Sequence, residues 1–111
     1  MPTDLVNLPS IQLRNVNEQA GIHYRGMRDA IMQSGPLDAN TCELILIGCF
    51  AARGAERSFR VHALRGLKAG MSKAMLEQVV MIPMGAASPL AEVTKVLTWL
   101  DEVAAEHAAG A

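Results

Sequence analysis

Aromatic residues are scarce in this chain: one Trp, one Tyr and two Phe stand among 111 residues, although half of the sequence is hydrophobic. The apolar content is therefore Ala, Leu, Ile, Val and Met, residues that lose little rotamer freedom in a helix or are small enough to pack there, and the shortage turns the fold towards helix and away from sheet. Two cysteines are too few for a secreted disulfide scaffold. Charge of one sign is also missing. Ten Lys and Arg face eleven Asp and Glu, for a net charge of −1, which argues against a general nucleic-acid or membrane-surface role. No apolar run approaches the roughly 20 residues that span a bilayer, and the first ten residues, MPTDLVNLPS, have no basic region before an apolar stretch. A cytoplasmic protein with no nucleic-acid and no membrane partner is expected.

What is present suits one domain and not two. A chain of this size buries roughly two-thirds of its unfolded surface, and the positive mean hydropathy implies more apolar surface than one subunit can hide. The surplus is expected to form a subunit interface, so a homo-oligomer is anticipated.

Along the chain, a first helical stretch runs from about Ser10 to Ser34 and is ended by Gly35-Pro36. Asp38-Ala-Asn-Thr41 is rich in N-cap residues and precedes Glu43 and the apolar run Leu44 to Ala52. Nine apolar residues ending in Ala-Ala-Arg-Gly suit a buried helix better than a strand, and a helix apolar on every side belongs at the centre of an assembly. A third helix follows Gly54 and stops at Gly70; Ser72 caps a fourth, which meets Pro83 and Gly85. Ser88-Pro89 opens the last helix, with Val93, Val96, Leu97 and Leu100 on one face, to about Glu106. The expectation is an all-α fold of about five helices, a single domain over residues 1–111 with flexible ends at 1–9 and 107–111.

At 100° per residue the third helix divides into faces. Phe59, Ala63 and Leu67 make an apolar stripe, and Arg57, Arg60, Lys68 and, further round, Arg65 a basic one. The remaining face holds Ala55, Ser58, His62, Gly66 and Ala69, all small except His62. Such a face either packs tightly against another helix or leaves a cavity into which an imidazole projects. His62 is accordingly either a packed histidine or a site residue. The basic face is more often solvated than an anion site, yet guanidinium groups beside a histidine would suit a carboxylate substrate.

Glu43, near the start of the second helix, and Glu56, in the first turn of the third, both lie where a helix dipole alone favours a carboxylate. Glu56 and His62 are about 120° apart on the helix and share no face. Cys42 and Cys49 share a face, but two turns separate them by roughly 10 Å, more than a disulfide tolerates. Both are expected to be buried and inert. His23, His62 and His107 are scattered with no ligand spacing, so no metal and no cofactor is expected. No phosphate-cradling glycine loop and no Gly-x-Ser-x-Gly elbow occurs.

The segments Thr41-Cys-Glu-Leu-Ile-Leu-Ile-Gly48, Glu56-x5-His62 with Arg65, Gly70-Met-Ser72, and Gly85 followed by Trp99-Leu-Asp101 together resemble the carboxymuconolactone decarboxylase family, which also contains alkylhydroperoxidase D. The resemblance implies an alkylhydroperoxidase D-like helical bundle assembled as trimers or hexamers. The family's peroxidase branch carries a glutamate, eleven residues, Cys-x-x-Cys, three residues and a histidine. Glu43 and His62 match that register, whereas its two cysteine positions are Ala55 and Ser58. Thiol peroxidase chemistry of that kind lacks both its thiols here, and the Glu56-x5-His62 spacing looks more like the cysteine-free branches. Some decarboxylase-like members place an acidic residue where this chain has Ser58, and the tyrosine many members carry near the glycine of the next segment is not evident.

Three functions are compatible with these residues. In the first, a cofactor-free decarboxylase of a small organic acid uses His62 to supply a proton, with Glu56 or Glu43 setting its tautomer. Arg60 or Arg65, with Ser58 beside them on the small face, would hold the substrate's second carboxylate or a developing oxyanion. In the second, a peroxidase would have to use Cys42 or Cys49. In the third, a non-catalytic helical oligomer binds a small acid or simply packs. Fold resemblance does not choose among them.

Overall fold

The computed structural model describes residues 9–110, and most of the expected flexible N-terminal segment, residues 1–8, lies outside them. The described residues form six helices and no β-sheet: α1 (Pro9–Val16), α2 (Glu18–Gln33), α3 (Ala39–Arg53), α4 (Glu56–Lys68), α5 (Lys73–Met81) and α6 (Leu90–Ala108). The sixth helix comes from the stretch expected to be one. Asn17 is extended (φ −146°, ψ 104°) and its side chain accepts a hydrogen bond from the Ala20 N–H at 3.0 Å. It caps α2 and so ends the run of α1. The two helices pack on each other and meet at Gly21, where a Cβ would come within 2.6 Å of the Arg14 backbone. That close approach accounts for a glycine inside a helix, where it otherwise costs about 1 kcal/mol.

The described chain divides into two compact units, residues 9–42 and 43–110. In the first, no apolar side chain of α1 or α2 is buried; only Gly21 is. The start of α3 is capped as the sequence predicts, with the Thr41 N–H donating to Asp38 Oδ1 at 2.7 Å. That backbone hydrogen bond holds the Asp38 carboxyl below its ordinary range.

The second unit contains the core. Helix α6 packs against α4 and α5. The expected stripe of α4, Phe59, Ala63 and Leu67, is buried there, with Leu76 and Val80 of α5 and Val93, Val96, Leu100 and Val103 of α6. Leu97 is half-buried at its edge, and the Phe59 ring lies 6.1 Å from Trp99 at 51°. Of helix α3, Ile47 and Ala51 are buried in this core, with Leu44 and Phe50 partly buried against it. Its other faces stay open, with Ile45 50% exposed and Cys49 exposed. The expectation of two buried cysteines is therefore corrected: Cys42 is half-buried and Cys49 exposed, and both are free thiols. A single stripe of α3 meets the core because the core is one-sided, and a helix apolar all round then shows the rest.

Ser72 caps α5, accepting from the Met75 N–H at 3.1 Å. Ser88 does not cap α6. Its side chain is buried and donates instead to the Ala52 carbonyl at 3.4 Å, while Pro89 takes the cap position without a side-chain bond. Helix α6 continues to Ala108, past the expected end at Glu106 and into the segment expected to be flexible. Among the described residues no helix is long and apolar enough to cross a membrane.

Candidate functional site

The chain turns out of α3 through Gly54, whose φ of 67° lies in the left-handed region. The Gly54 N–H donates to the Ala51 carbonyl at 3.2 Å and the Ala55 N–H to the Phe50 carbonyl at 3.0 Å. This paired closure satisfies the last carbonyls of α3 and lets α4 begin two residues later. The turn brings the side chains of positions 43 and 50 on α3 and 62 on α4 together. Seven residues apart, Glu43 and Phe50 lie on one face of α3, two turns from each other.

His62 meets both. Its Nδ1 lies 2.5 Å from Glu43 Oε1, with the histidine side chain 18% and the glutamate 20% exposed. A carboxylate only accepts, so Nδ1 carries the hydrogen and the bond is charge-assisted. The other ring nitrogen, Nε2, has no bonded partner among the described residues. The Phe50 ring packs on the imidazole, centroid to centroid 5.0 Å, tilted by 44°. Glu43 does not owe its place to the helix dipole. Helix α3 begins at Ala39 and has no acidic residue in its first turn, and the dipole's influence fades beyond that turn.

Glu56 and Arg60 are engaged elsewhere. Glu56 opens α4, where the dipole favours it, and accepts from Arg60 Nε at 2.9 Å. Arg60 Nη2 donates to Glu102 of α6 at 3.0 Å, and the arginine side chain is only 15% exposed. Partial burial works against the Arg60 charge, but the hydrogen bonds it donates to Glu102 and Glu56 outweigh it and raise the group above its ordinary value. Arg60 thus ties α4 to α6, with both carboxylates already in place. Arg65 is different. It is exposed, makes no ion pair with another described residue, and follows His62 by three positions, one turn along the same side of the helix. Ser58, four positions before His62, is half-buried on that side.

The small face of α4 has two parts. At Gly66 it is filled, since a Cβ there would meet Met71 Sδ at 2.8 Å and Ile47 Cδ1 at 3.6 Å. From Ala55 through Ser58 to His62 it stays partly exposed. Of the two alternatives expected of this face, tight packing holds at the Gly66 end. No group of three or more His, Cys, Asp or Glu among the described residues could hold a metal ion.

The carboxymuconolactone decarboxylase family matches residues 19–108. The chain belongs to that family. No curated protein and no solved structure matches it. The matched span reaches well beyond the Thr41–Asp101 stretch that carries the sequence resemblance, taking in nearly all of α2 and the whole of α6. In this decarboxylase-family chain, the positions of the peroxidase branch's cysteines fall at Ala55, just before α4, and at Ser58 in its first turn. Phe50 was not singled out from the sequence. The signal that could have found it is its position seven after Glu43.

Proposed function

We propose that this carboxymuconolactone decarboxylase-family chain is a cofactor-free decarboxylase of a small organic acid, with His62 as the proton donor. The observation that carries the reading is the bond from His62 Nδ1 to Glu43 with Nε2 left open. When the carbon–CO₂ bond breaks, its electron pair stays on the substrate, delocalised into a neighbouring carbonyl or double bond. The imidazolium Nε2–H then delivers a proton to that carbon, leaving the Nδ1–H neutral ring still bonded to Glu43. Water returns the proton before the next turnover. Glu43 decides which nitrogen faces the substrate, so the donor needs no reorientation during the step. The partly exposed small side chains beside His62 leave room for a ligand of few atoms and weaken solvation of its carboxylate.

The test is CO₂ release from a panel of small lactone, keto and unsaturated di-acids. No release from any of them, with His62→Ala affecting stability alone, would leave a non-catalytic oligomer as the better account.

Arg65 is the cation assigned to the substrate's second carboxylate, and Arg60 the tie between helices. Arg65→Ala should raise KM roughly tenfold, the low end of what a hydrogen bond to a charged group contributes, with little change in melting temperature. Arg60→Ala should lower the melting temperature and leave KM nearly unchanged. The reverse pattern in KM and thermal melting would exchange the roles.

The working form in this proposal is a trimer or hexamer. Its support is the apolar surface a single chain leaves open, including Ile45, Ile82 at 69% exposure and Leu90 at 65%. Light scattering should give a mass several times 11.9 kDa; a stable monomer at micromolar concentration would overturn this assignment.

A further inference from the structure

The imidazole of His62 is held on two sides by one helix. Glu43 bonds its edge at Nδ1, and Phe50, two turns along the same face of α3, leans against its ring at a tilt of 44°. A hydrogen bond at one nitrogen leaves the ring free to swing about that contact, and a swing of this kind would move Nε2 by an ångström or more. Packing against the ring removes that freedom. Phe50 is half-buried and itself packed against the core, and the carbonyl of its own residue is fixed by the Ala55 N–H. It is therefore a stiff support and not a mobile cover. With only two phenylalanines in the chain, one fills the core at Phe59 and the other stands against the histidine.

We infer that Phe50 is a positioning residue: it holds the His62 ring in the orientation that keeps Nδ1 on Glu43 and aims Nε2 at the substrate. The catalytic consequence rests on the reading of His62 as proton donor, while the positioning itself does not. Leucine at this position would keep an apolar side chain but lose the flat surface against the ring. The imidazole would then leave Glu43 part of the time and populate its other tautomer. Misplacement by about 1 Å at a reacting group can cost on the order of 100-fold, and a ring displaced only part of the time should cost less.

The experiment is nitrogen-15 NMR of the histidine side chains at neutral pH, on wild type, Phe50→Leu and Phe50→Tyr, with kinetics on whichever acid is turned over. Wild type should show the neutral His62 ring as a single Nδ1–H tautomer, with ring protons shifted upfield by the neighbouring phenyl. Phe50→Tyr should preserve both features. Phe50→Leu should give an averaged tautomer signature and a kcat lowered about tenfold, with KM within twofold. A tautomer and ring-proton pattern unchanged in Phe50→Leu would overturn the inference, whatever the kinetics. Averaged tautomers or unshifted ring protons in wild type would do the same even if the leucine variant failed to fold. These spectra need no substrate, so a failed decarboxylase assay leaves the positioning test intact.

Discussion

Replacing His62 with glutamine should lower kcat/KM for CO₂ release by about 10²–10⁴-fold, the usual contribution of a positioned general acid, while the oligomer mass and melting temperature stay close to wild type. Glutamine is the informative choice because its amide can still donate to Glu43, which is only 20% exposed. The carboxylate then keeps a partner, and the stability penalty of stranding it is reduced. An amide has no proton to give at the carbon, so only the chemical step is lost. His62→Ala removes both functions and should add a measurable loss of stability to the same loss of turnover. Steady-state kinetics beside thermal melting, at one protein concentration, separates the two accounts of this residue. A histidine that merely packs gives a lowered melting temperature with turnover per folded molecule unchanged, and that result would return His62 to the core.

The second large effect concerns folding. Phe59→Ala should destabilise the protein by about 3–5 kcal/mol, the range for deleting a fully buried aromatic ring. Phe59 is 0% exposed, lies on the α4 stripe facing α6 and packs on Trp99, so the walls of the hole it leaves are set by two helices with little room to collapse. Against the roughly 5–15 kcal/mol that holds a typical domain together, such a loss removes about a fifth of the stability or more. For a domain of this size it corresponds to a fall in melting temperature on the order of 15 °C. Phe59→Leu should cost much less. Because an oligomer's apparent stability depends on concentration, the comparison belongs at one fixed concentration. A Phe59→Ala protein melting within a few degrees of wild type would mean that the core is not centred on the α4–α6 contact.

These two residues also show how far the sequence could be followed. Phe59, Ala63 and Leu67 repeat at helical spacing, and no partner is needed to see that they share a face. Burial then follows from the cost of leaving that face in water. The break at Asn17 was written in the sequence as well, since Asn17-Glu18-Gln19-Ala20 offers a cap three residues before a free N–H. The apolar periodicity running through both helices hid it. Ser88 shows the opposite limit. Ser-Pro is a sound helix start, yet the hydroxyl found a better acceptor in the Ala52 carbonyl, which no local pattern announces.

Composition and periodicity by themselves determined the all-α class, most helix ends, the α4 and α6 core faces, and the separation of Glu56 from His62. Each depends on residues within a turn or two of one another, and helix geometry fixes such relations without reference to the rest of the chain. Only the tertiary structure decided which carboxylate serves His62, which arginine is free, and what lies against the imidazole. Glu43 and His62 are nineteen positions apart, and Arg60 and Glu102 forty-two. Whether such side chains meet depends on how the chain leaves one helix and where the next one packs. The left-handed turn at Gly54 and the docking of α6 on α4 settle those two questions here, and with them which charges are spent on holding helices together.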